Sequence, residues 1–274
     1  NFYARLNTIL LMLGLMTGLA ILGMLALRAE GGPLDPPGAP ASTDGVRQPG
    51  TPISSLPFVI NEAGNYYVTR DLTGAAGQDG ITIDVSNVTI DLGGFRLVGG
   101  ATPGDGITSG GVRNVTIRNG SVRGWDTGVS LGASMSRVEG VQSSSNTGAG
   151  FQIGLRSWLS NCNASLNSVG ISVNFGRVSD CVVAENTSTG IQVQNHSLVE
   201  GSFVTGNPGV GGLAVFGVYN TVRDNELIAN GPLFGDLRVE GNNNVVRDNT
   251  YCTSSFPGTN NTFSGNIVLP SPSP

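Results

Sequence analysis

The sequence predicts an all-β solenoid, in which short parallel strands of successive coils stack into long sheets, preceded by one apolar N-terminal helix. Two repeating patterns predict the solenoid. A residue that tolerates a left-handed backbone, namely Gly, Asn or Asp, recurs at intervals of 17 to 24 residues. Between these positions, a Gly is repeatedly followed by a short alternation of apolar and polar residues, as in GFQI and GISV. A third observation, an uncharged apolar run near the start, predicts the helix.

The left-handed positions mark the corners of the solenoid. A chain that turns at a near-fixed phase about every 20 residues winds one coil per repeat. An apolar residue stands two positions before each corner, from Ile117 in the first to Phe263 in the last, and is expected to point inward. The predicted corner positions are Asn119, Gly140, Asn161, Asp180, Gly201, Asp224, Asp248 and Gly265.

A second column consists of asparagines that stand six residues after the corner. An Asn at a turn can hydrogen-bond the backbone of its neighbours, and stacked Asn side chains can bond one another. Together with three short strands per repeat, this pattern predicts a single-stranded right-handed parallel β-helix of about nine coils. The members of the Asn column are Asn146, Asn167, Asn186, Asn207 and Asn230.

Three early segments carry a resemblance to a known family. Tyr66–Gly74, Gly80–Gly99 and Asn114–Trp125 resemble the first coils of bacterial repeat proteins of the right-handed parallel β-helix, pectate-lyase-like family. The resemblance extends from Leu56 to about Leu269 and implies the fold. It implies no particular activity, because many members of this narrower group have none assigned and one fold hosts many chemistries.

The N-terminal segment contains an apolar run, Ile9–Leu27, without a charge and flanked by arginines. As a helix it would be roughly 29 Å long, close to the hydrocarbon thickness of a bilayer. We expect residues 1–29 to form a retained transmembrane or assembly helix; a cleaved signal peptide is the alternative. Gly14 and Gly18 form a small-xxx-small pair that permits close helix packing. The charge pattern places the N-terminus in the cytoplasm and the β-helix in the periplasm or outside the cell.

The remaining organisation follows from composition. Residues 30–57 are rich in Pro and Gly and are predicted to be an extended linker. Residues 58–270 form the β-helix, whose first strands cap its open end, and residues 271–274 are a tail. Charged residues make up only 12% of the chain, Lys is absent and the net charge is −5, so nucleic acid is not expected as a partner.

The sequence indicates no catalytic residue, no metal ligands and no cofactor site. Asp224 and Asp248 could form a stacked carboxylate pair, but their corner position accounts for them. The one histidine, His196, is predicted to be a solvated turn residue. The densest acidic stretch is interpreted as turn caps rather than a Ca²⁺ site; it contains Asp79, Asp84, Asp91 and Asp105.

Cysteines and aromatic residues leave alternatives open. Cys162 and Cys181 share a column in adjacent coils and are either two stacked thiols or a disulfide, whereas Cys252 lies outside the column. Five aromatic residues either pack in the core and corners or form an exposed surface for sugar stacking or docking. These aromatic residues are Trp125, Trp158, Phe175, Phe216 and Tyr219.

The functional hypothesis from the sequence is a non-catalytic structural protein. It would be anchored in a membrane through residues 9–27 and act as an accessory subunit that binds other protein subunits, in a membrane complex or a homopolymer. The alternative is an extracellular β-helix that binds or cleaves polysaccharide, with carbohydrate as the partner.

Overall fold

The computed structural model describes residues 50–101, 103–231 and 235–270. Within these ranges the chain forms short β-strands and no α-helix. The strands are β1 (Thr51–Ile53), β2 (Phe58–Ile60), β3 (Gly64–Val68), β4 (Leu72–Thr73), β5 (Ile81–Ile83), β6 (Val88–Asp91), β7 (Arg96–Val98), β8 (Ile107–Ser109), β9 (Val115–Arg123), β10 (Val129–Leu131), β11 (Arg137–Ser144), β12 (Ala149–Ile153), β13 (Trp158–Ser160), β14 (Asn163–Ser165), β15 (Val169–Val173), β16 (Arg177–Ser179), β17 (Val182–Ala184), β18 (Thr189–Val193), β19 (Leu198–Glu200), β20 (Phe203–Thr205), β21 (Gly211–Val215), β22 (Thr221–Arg223), β23 (Glu226–Ile228), β24 (Leu237–Val239), β25 (Val245–Arg247), β26 (Thr250–Tyr251), β27 (Ser254–Ser255), β28 (Thr262–Ser264) and β29 (Ile267–Val268).

The strands stack in parallel into three faces of a right-handed solenoid. Face 1 contains β1, β3, β6, the first halves of β9 and β11, and then β13, β16, β19, β22, β25 and β28. Face 2 contains β4, β7, the second halves of β9 and β11, and then β14, β17, β20, β23, β26 and β29. Face 3 is the separate ten-stranded sheet from β2 to β27. The predicted parallel β-helix is therefore confirmed.

The core consists of columns of stacked apolar side chains, one column for each inward-facing position of the coil. Equivalent inward residues of successive coils are partners in the strand register, as Val138, Leu159 and Val178 are on face 1. All three are fully buried, as are Phe151 and Ile171 opposite them on face 3. Because a strand of three to five residues buries little alone, stacking neighbouring coils supplies the continuous apolar core.

Each coil turns at three corners, and each corner is a column of left-handed residues. The first corner joins face 1 to face 2, and its eight positions from Asn119 to Gly265 have φ between 54° and 64°. The second corner joins face 2 to face 3 and is formed by Gly124, Ser145, Leu166, Glu185, Gly206 and Ala229. The third corner joins face 3 to face 1 and is formed by Asn87, Asn114, Met135, Arg156, Phe175, His196, Tyr219, Asn243 and Asn260.

The Asn column lies inside the rod, immediately after the second corner. Each side-chain amide Nδ2 donates to the Oδ1 of the next member, and each Oδ1 also accepts the backbone N–H of the member before it. The ladder ends on the buried carboxylate of Asp236, which accepts from Asn230 Nδ2 at 3.0 Å. The Nδ2 to Oδ1 distances are 2.8 Å from Asn146 to Asn167, 3.0 Å from Asn167 to Asn186, 2.9 Å from Asn186 to Asn207 and 2.8 Å from Asn207 to Asn230. The ladder satisfies polar groups that a corner would otherwise leave buried and unpaired.

The N-terminal end of the described chain differs from the predicted layout. Strand β1 (Thr51–Ile53) pairs with β3 and so belongs to the β-helix, although the sequence places it in the linker of residues 30–57. The apolar run of residues 9–27, with Gly14 and Gly18, and the tail of residues 271–274 lie outside the described residues. Among the residues that are described, no helix has the length and apolar character needed to cross a membrane.

The cysteines are free thiols. Cys162 and Cys181 are buried in adjacent coils, and Cys252 is partly exposed. The pKa of the Cys181 thiol lies above its ordinary value, because the Cys162 thiol is hydrogen-bonded to it and because both are buried. Of the two arrangements left open by the sequence, the structure therefore shows two stacked thiols.

Candidate functional site

The most distinctive outward column lies on face 1 and has Trp158 at its centre. Arg137, Trp158 and Arg177 occupy the same register in β11, β13 and β16, so one Arg lies above the indole and one below it. Neighbouring parallel strands lie about 4.8 Å apart, which brings all three side chains within reach of one ligand. Trp158 is 54% exposed, although Trp normally buries most of its surface. An exposed indole between two guanidinium groups is a ready contact surface.

Shallow grooves lie on both sides of Trp158. One, of about 450 Å³, extends toward the third corner and is lined by Asn114, Thr116, Met135, Ser136, Arg137, Arg156 and Trp158. A second, of about 300 Å³, extends toward the first corner and is lined by Arg137, Trp158, Ser160, Asn161, Arg177, Ser179 and Asp180. A third, of about 400 Å³, adjoins the first through Met135 and Arg156 and also includes Arg113, Ser134, Leu155 and Phe175. We call these three connected grooves the Trp158 groove.

The third corner borders the Trp158 groove with large side chains in an unusual backbone conformation. Met135, Arg156, Phe175, His196 and Tyr219 occupy five consecutive coils and have φ between 49° and 59°. The same corner carries Asn at both ends of the rod, which is the residue expected for this conformation. The His196 ring is stacked on Phe175, with centroids 5.0 Å apart and planes 8° apart, and it contacts Tyr219 at 5.2 Å. We call these five residues the corner strip.

The five aromatic residues singled out from the sequence divide into three groups. Trp125 is fully buried, and its indole Nε1 donates to the Leu97 carbonyl at 3.1 Å. A Cβ at Gly74 or Gly80 would collide with this indole, so the neighbouring coils are shaped around it. By contrast, Trp158, Phe175 and Tyr219 are exposed along the groove and the corner strip. Phe216 is half-buried beneath the Arg238 guanidinium, which lies 6.0 Å from its ring centre. His196 is exposed at the third corner, as predicted, and its ring is also part of a stack.

The groove is predominantly cationic. Four arginines line it: Arg113, Arg137, Arg156 and Arg177. Arg137 pairs with Glu139 at 3.1 Å across an exposed surface, where such pairs contribute little. The buried carboxylate of Glu200, one coil beyond Arg177, pairs with Arg177 and with Arg223, which lies a further coil along the rod. Among the described residues, Arg113 and Arg156 form no salt bridge. The local charge is thus opposite in sign to the net charge of −5.

Most of the acidic residues singled out in the sequence pair with the preceding Arg at a corner or accept a hydrogen bond from a backbone N–H. Asp224 and Asp248 sit at the first corner, where each carboxylate accepts from the preceding Arg, at 3.1 Å and 2.6 Å respectively. Asp79 accepts the Asp105 backbone N–H at 2.8 Å, and Asp91 accepts that of Gly93 at 2.9 Å. Within the described part of the chain, no cluster of three metal-binding side chains is present.

Asp180 has a different setting from the other corner acids. It lines the same groove as Trp158, on the side of the first corner. Its left-handed conformation, with φ of 55°, is shared by Asn119 and Asn161 in the same column. A carboxylate is therefore not required at this corner for backbone reasons, and the groove gains an acid beside its arginines. The sequence pattern assigned Asp180 to the corner column and gave no sign of this second environment.

Comparisons with known proteins agree with the architecture. The family model described as right handed beta helix region matches residues 73–227. The A-module of the mannuronan C-5 epimerase AlgE4 from Azotobacter vinelandii is 14% identical, with a TM-score of 0.53, and the match covers 81% of this chain and 88% of that one. The Dettilon tailspike protein is 11% identical with a TM-score of 0.54, over 80% of this chain and 60% of its own. The catalytic domain of a GH87 α-1,3-glucanase in complex with nigerose is 14% identical with a TM-score of 0.51, over 78% and 59%. No curated protein matches the chain by sequence.

These neighbours correct one prediction. The sequence led us to predict that the protein is not an enzyme, because no catalytic motif is present. That conclusion is wrong as it stands, since solved structures with this fold include an epimerase module and the catalytic domain of a glucanase. The physical reason is that a β-helix face brings side chains from several coils together, so a site on it needs no local sequence motif.

Proposed function

The chain belongs to the right-handed β-helix family, and we propose that it binds a polysaccharide chain in the Trp158 groove. The observation that carries this proposal is the column Arg137, Trp158 and Arg177, with the indole 54% exposed. A large flat indole offers an apolar face on which the C–H face of a sugar ring can stack. The polysaccharides named for the epimerase and the glucanase support this assignment through shared fold, which is an argument by analogy.

The arginines favour an anionic polysaccharide. A guanidinium group binds carboxylate, sulfate or phosphate oxygens through two parallel hydrogen bonds, and it keeps its charge at any physiological pH. Arg113 and Arg156 have no carboxylate partner among the described residues, so their donors are available to a ligand. Clustered cations in a concave surface also attract an anion through the local field, despite the overall negative charge of the protein.

The binding test compares glycans that differ in charge. Isothermal titration calorimetry should detect binding of a polyuronate oligosaccharide and much weaker binding of a neutral glucan of the same length. Arg137→Gln and Arg156→Gln should each weaken the uronate affinity about tenfold, the effect of one charge-assisted hydrogen bond. Arg123→Gln is the matched control, because Arg123 is exposed on face 2, away from the groove. Equal losses in all three variants would refute the groove as the binding site.

Cleavage or modification of the bound glycan is a second candidate function, and Asp180 is the observation that favours it. Its carboxylate lines the groove beside Trp158, where it can take or supply a proton at a bound sugar. Asp180→Asn preserves the corner, because Asn occupies the same column at Asn119 and Asn161. The expected result is unchanged glycan affinity with loss of product formation, measured by mass spectrometry of the oligosaccharide. Product formed at the wild-type rate by Asp180→Asn would remove Asp180 from the chemistry.

Attachment to a membrane remains a prediction from residues 9–27. Cell fractionation of the full chain and of a variant that lacks residues 1–29 tests it directly. Membrane association of the full chain, lost in the shortened one, is the expected result. A shortened chain that still fractionates with membranes would contradict the predicted anchor.

A further inference from the structure

The corner strip combines three features over five consecutive coils. Its five side chains are large, its backbone is left-handed, and its residues are exposed, with Met135 at 50%, Phe175 at 38% and Tyr219 at 59%. Bulky residues adopt this conformation rarely, because Cβ approaches the following carbonyl oxygen. Asn243 shows that the same corner can be built with Asn one coil beyond Tyr219. The strip thus retains strain that a simpler residue would relieve.

The corner strip runs along the axis of the β-helix. Its residues occupy the same position in successive coils, so they form a row parallel to the rod axis, with a step of about 4.8 Å. The ring stack from Phe175 through His196 to Tyr219 gives this row a continuous aromatic surface. Met135, Arg156 and Phe175 also line the Trp158 groove, so the strip continues the groove rather than forming a separate patch.

We infer that the corner strip is an extension of the binding surface, along which a polysaccharide chain held at Trp158 runs parallel to the rod axis toward Tyr219. This inference rests on the proposed function and names the form of ligand, an anionic polymer rather than a short sugar. Arg156 in the strip supplies the charge complementarity, and the exposed edges of the rings supply apolar contacts for successive sugars. Tyr219 lies three coils beyond Arg156, or roughly 14 Å along the axis, so a disaccharide bound at Trp158 cannot reach it.

Two variants separate this role from a structural one. Tyr219→Asn places at the corner the residue found one coil further on, at Asn243, and removes an exposed ring. Leu166→Asn is the matched control, because Leu166 is also left-handed and 54% exposed but lies at the second corner. Both substitutions relieve the same backbone strain, so both should leave the midpoint of urea unfolding unchanged or higher. Only Tyr219→Asn removes part of the strip.

The experiment measures affinities of wild type and both variants for uronate oligosaccharides of two to eight sugars. We expect wild-type affinity to increase with length, and Tyr219→Asn to lose roughly three- to tenfold for the longest ligand and nothing for the disaccharide. Leu166→Asn should match wild type at every length. Unchanged affinity of Tyr219→Asn for long ligands, or a fall in its unfolding midpoint that Leu166→Asn does not share, would overturn the inference.

Two further outcomes distinguish the strip from the groove. Wild type that binds glycans of all lengths equally would overturn the strip and leave the Trp158 groove as the binding site. Wild type that binds none would overturn both. Sedimentation velocity tests whether a second copy of the chain binds the corner strip instead of a glycan. That would be the conclusion if wild type self-associates and Tyr219→Asn is monomeric with unchanged glycan affinity.

Discussion

Replacing Asn186 by Ala should destabilise the rod strongly, although the side chain touches no ligand surface. Asn186 is fully buried. Its Nδ2 donates to the carbonyls of Ala164 and Ala184 at 3.0 Å and 3.1 Å and to Asn207 Oδ1 at 2.9 Å. Its Oδ1 accepts the backbone N–H and the Nδ2 of Asn167, both at 3.0 Å.

The expected loss in the free energy of unfolding depends on which neighbouring polar groups keep a hydrogen-bond partner after the substitution. Asn207 Oδ1 still accepts the Asn186 backbone N–H, and Asn167 Nδ2 still donates to the Ser143 carbonyl at 3.1 Å. The Asn167 backbone N–H loses its acceptor and remains buried, which costs about 1–3 kcal/mol. The bond from Asn167 Nδ2 and the bonds of the two N–H groups of the Asn186 amide are also lost. These three bonds add about 1 kcal/mol each, so the free energy of unfolding should fall by about 4–6 kcal/mol. This is a large share of the total for an ordinary domain, about 5–15 kcal/mol.

Urea unfolding followed by far-ultraviolet circular dichroism measures the effect. Asn163→Ala is the control, because Asn163 belongs to the same coil as Asn167 but faces outward on β14 and has no side-chain hydrogen bond among the described residues. Its midpoint should stay within the range of a surface substitution, about 0.5 kcal/mol. A loss below about 1 kcal/mol for Asn186→Ala would refute the ladder as a source of stability, since net hydrogen-bond contributions start near that value.

Two further predictions concern buried groups. Trp125→Ala should lower the free energy of unfolding by about 3–5 kcal/mol, because the glycine-lined space around the indole cannot close, and thermal unfolding checks this. In the native protein, iodoacetamide should modify Cys252 first, because Cys162 and Cys181 are buried and the raised pKa of Cys181 keeps it protonated; peptide mass spectrometry checks this. Rapid labelling of Cys181 without unfolding would contradict the stacked-thiol core.

Of the three corners, only the first could be recognised from the sequence as a column of left-handed backbone positions. The first corner uses Gly, Asn and Asp throughout, and those residue types carry their own signal for a left-handed backbone. The second and third corners include Leu166, Glu185 and Phe175, whose types argue against that conformation. There the tertiary structure decides, because the coil must turn at a fixed point whatever residue occupies it. At the second corner, the sequence did contain one signal: the left-handed residue immediately precedes a member of the Asn column.

The candidate site was only partly visible in the sequence. The sequence allows an exposed surface that contains Trp158, Phe175 and Tyr219, but residue type alone does not distinguish them from Trp125. Only the register separates the outward column of Trp158 from the buried position of Trp125. The arginines converge from β11, from β16 and from the third corner of two different coils, and Arg113 and Arg177 are 64 positions apart in the chain. No local motif encodes such a cluster, so it could not be predicted from the sequence alone.

Tryptophan fluorescence tests the central claim most directly, because the chain has two tryptophans and only Trp158 is exposed. Titration with a uronate octasaccharide should shift the emission to shorter wavelength and protect it from acrylamide quenching, as the sugar covers the indole. Trp158→Phe, which leaves only buried Trp125, should show neither change. If the octasaccharide binds by calorimetry while Trp158 stays fully quenchable, the ligand lies elsewhere on the rod and the proposed groove is wrong.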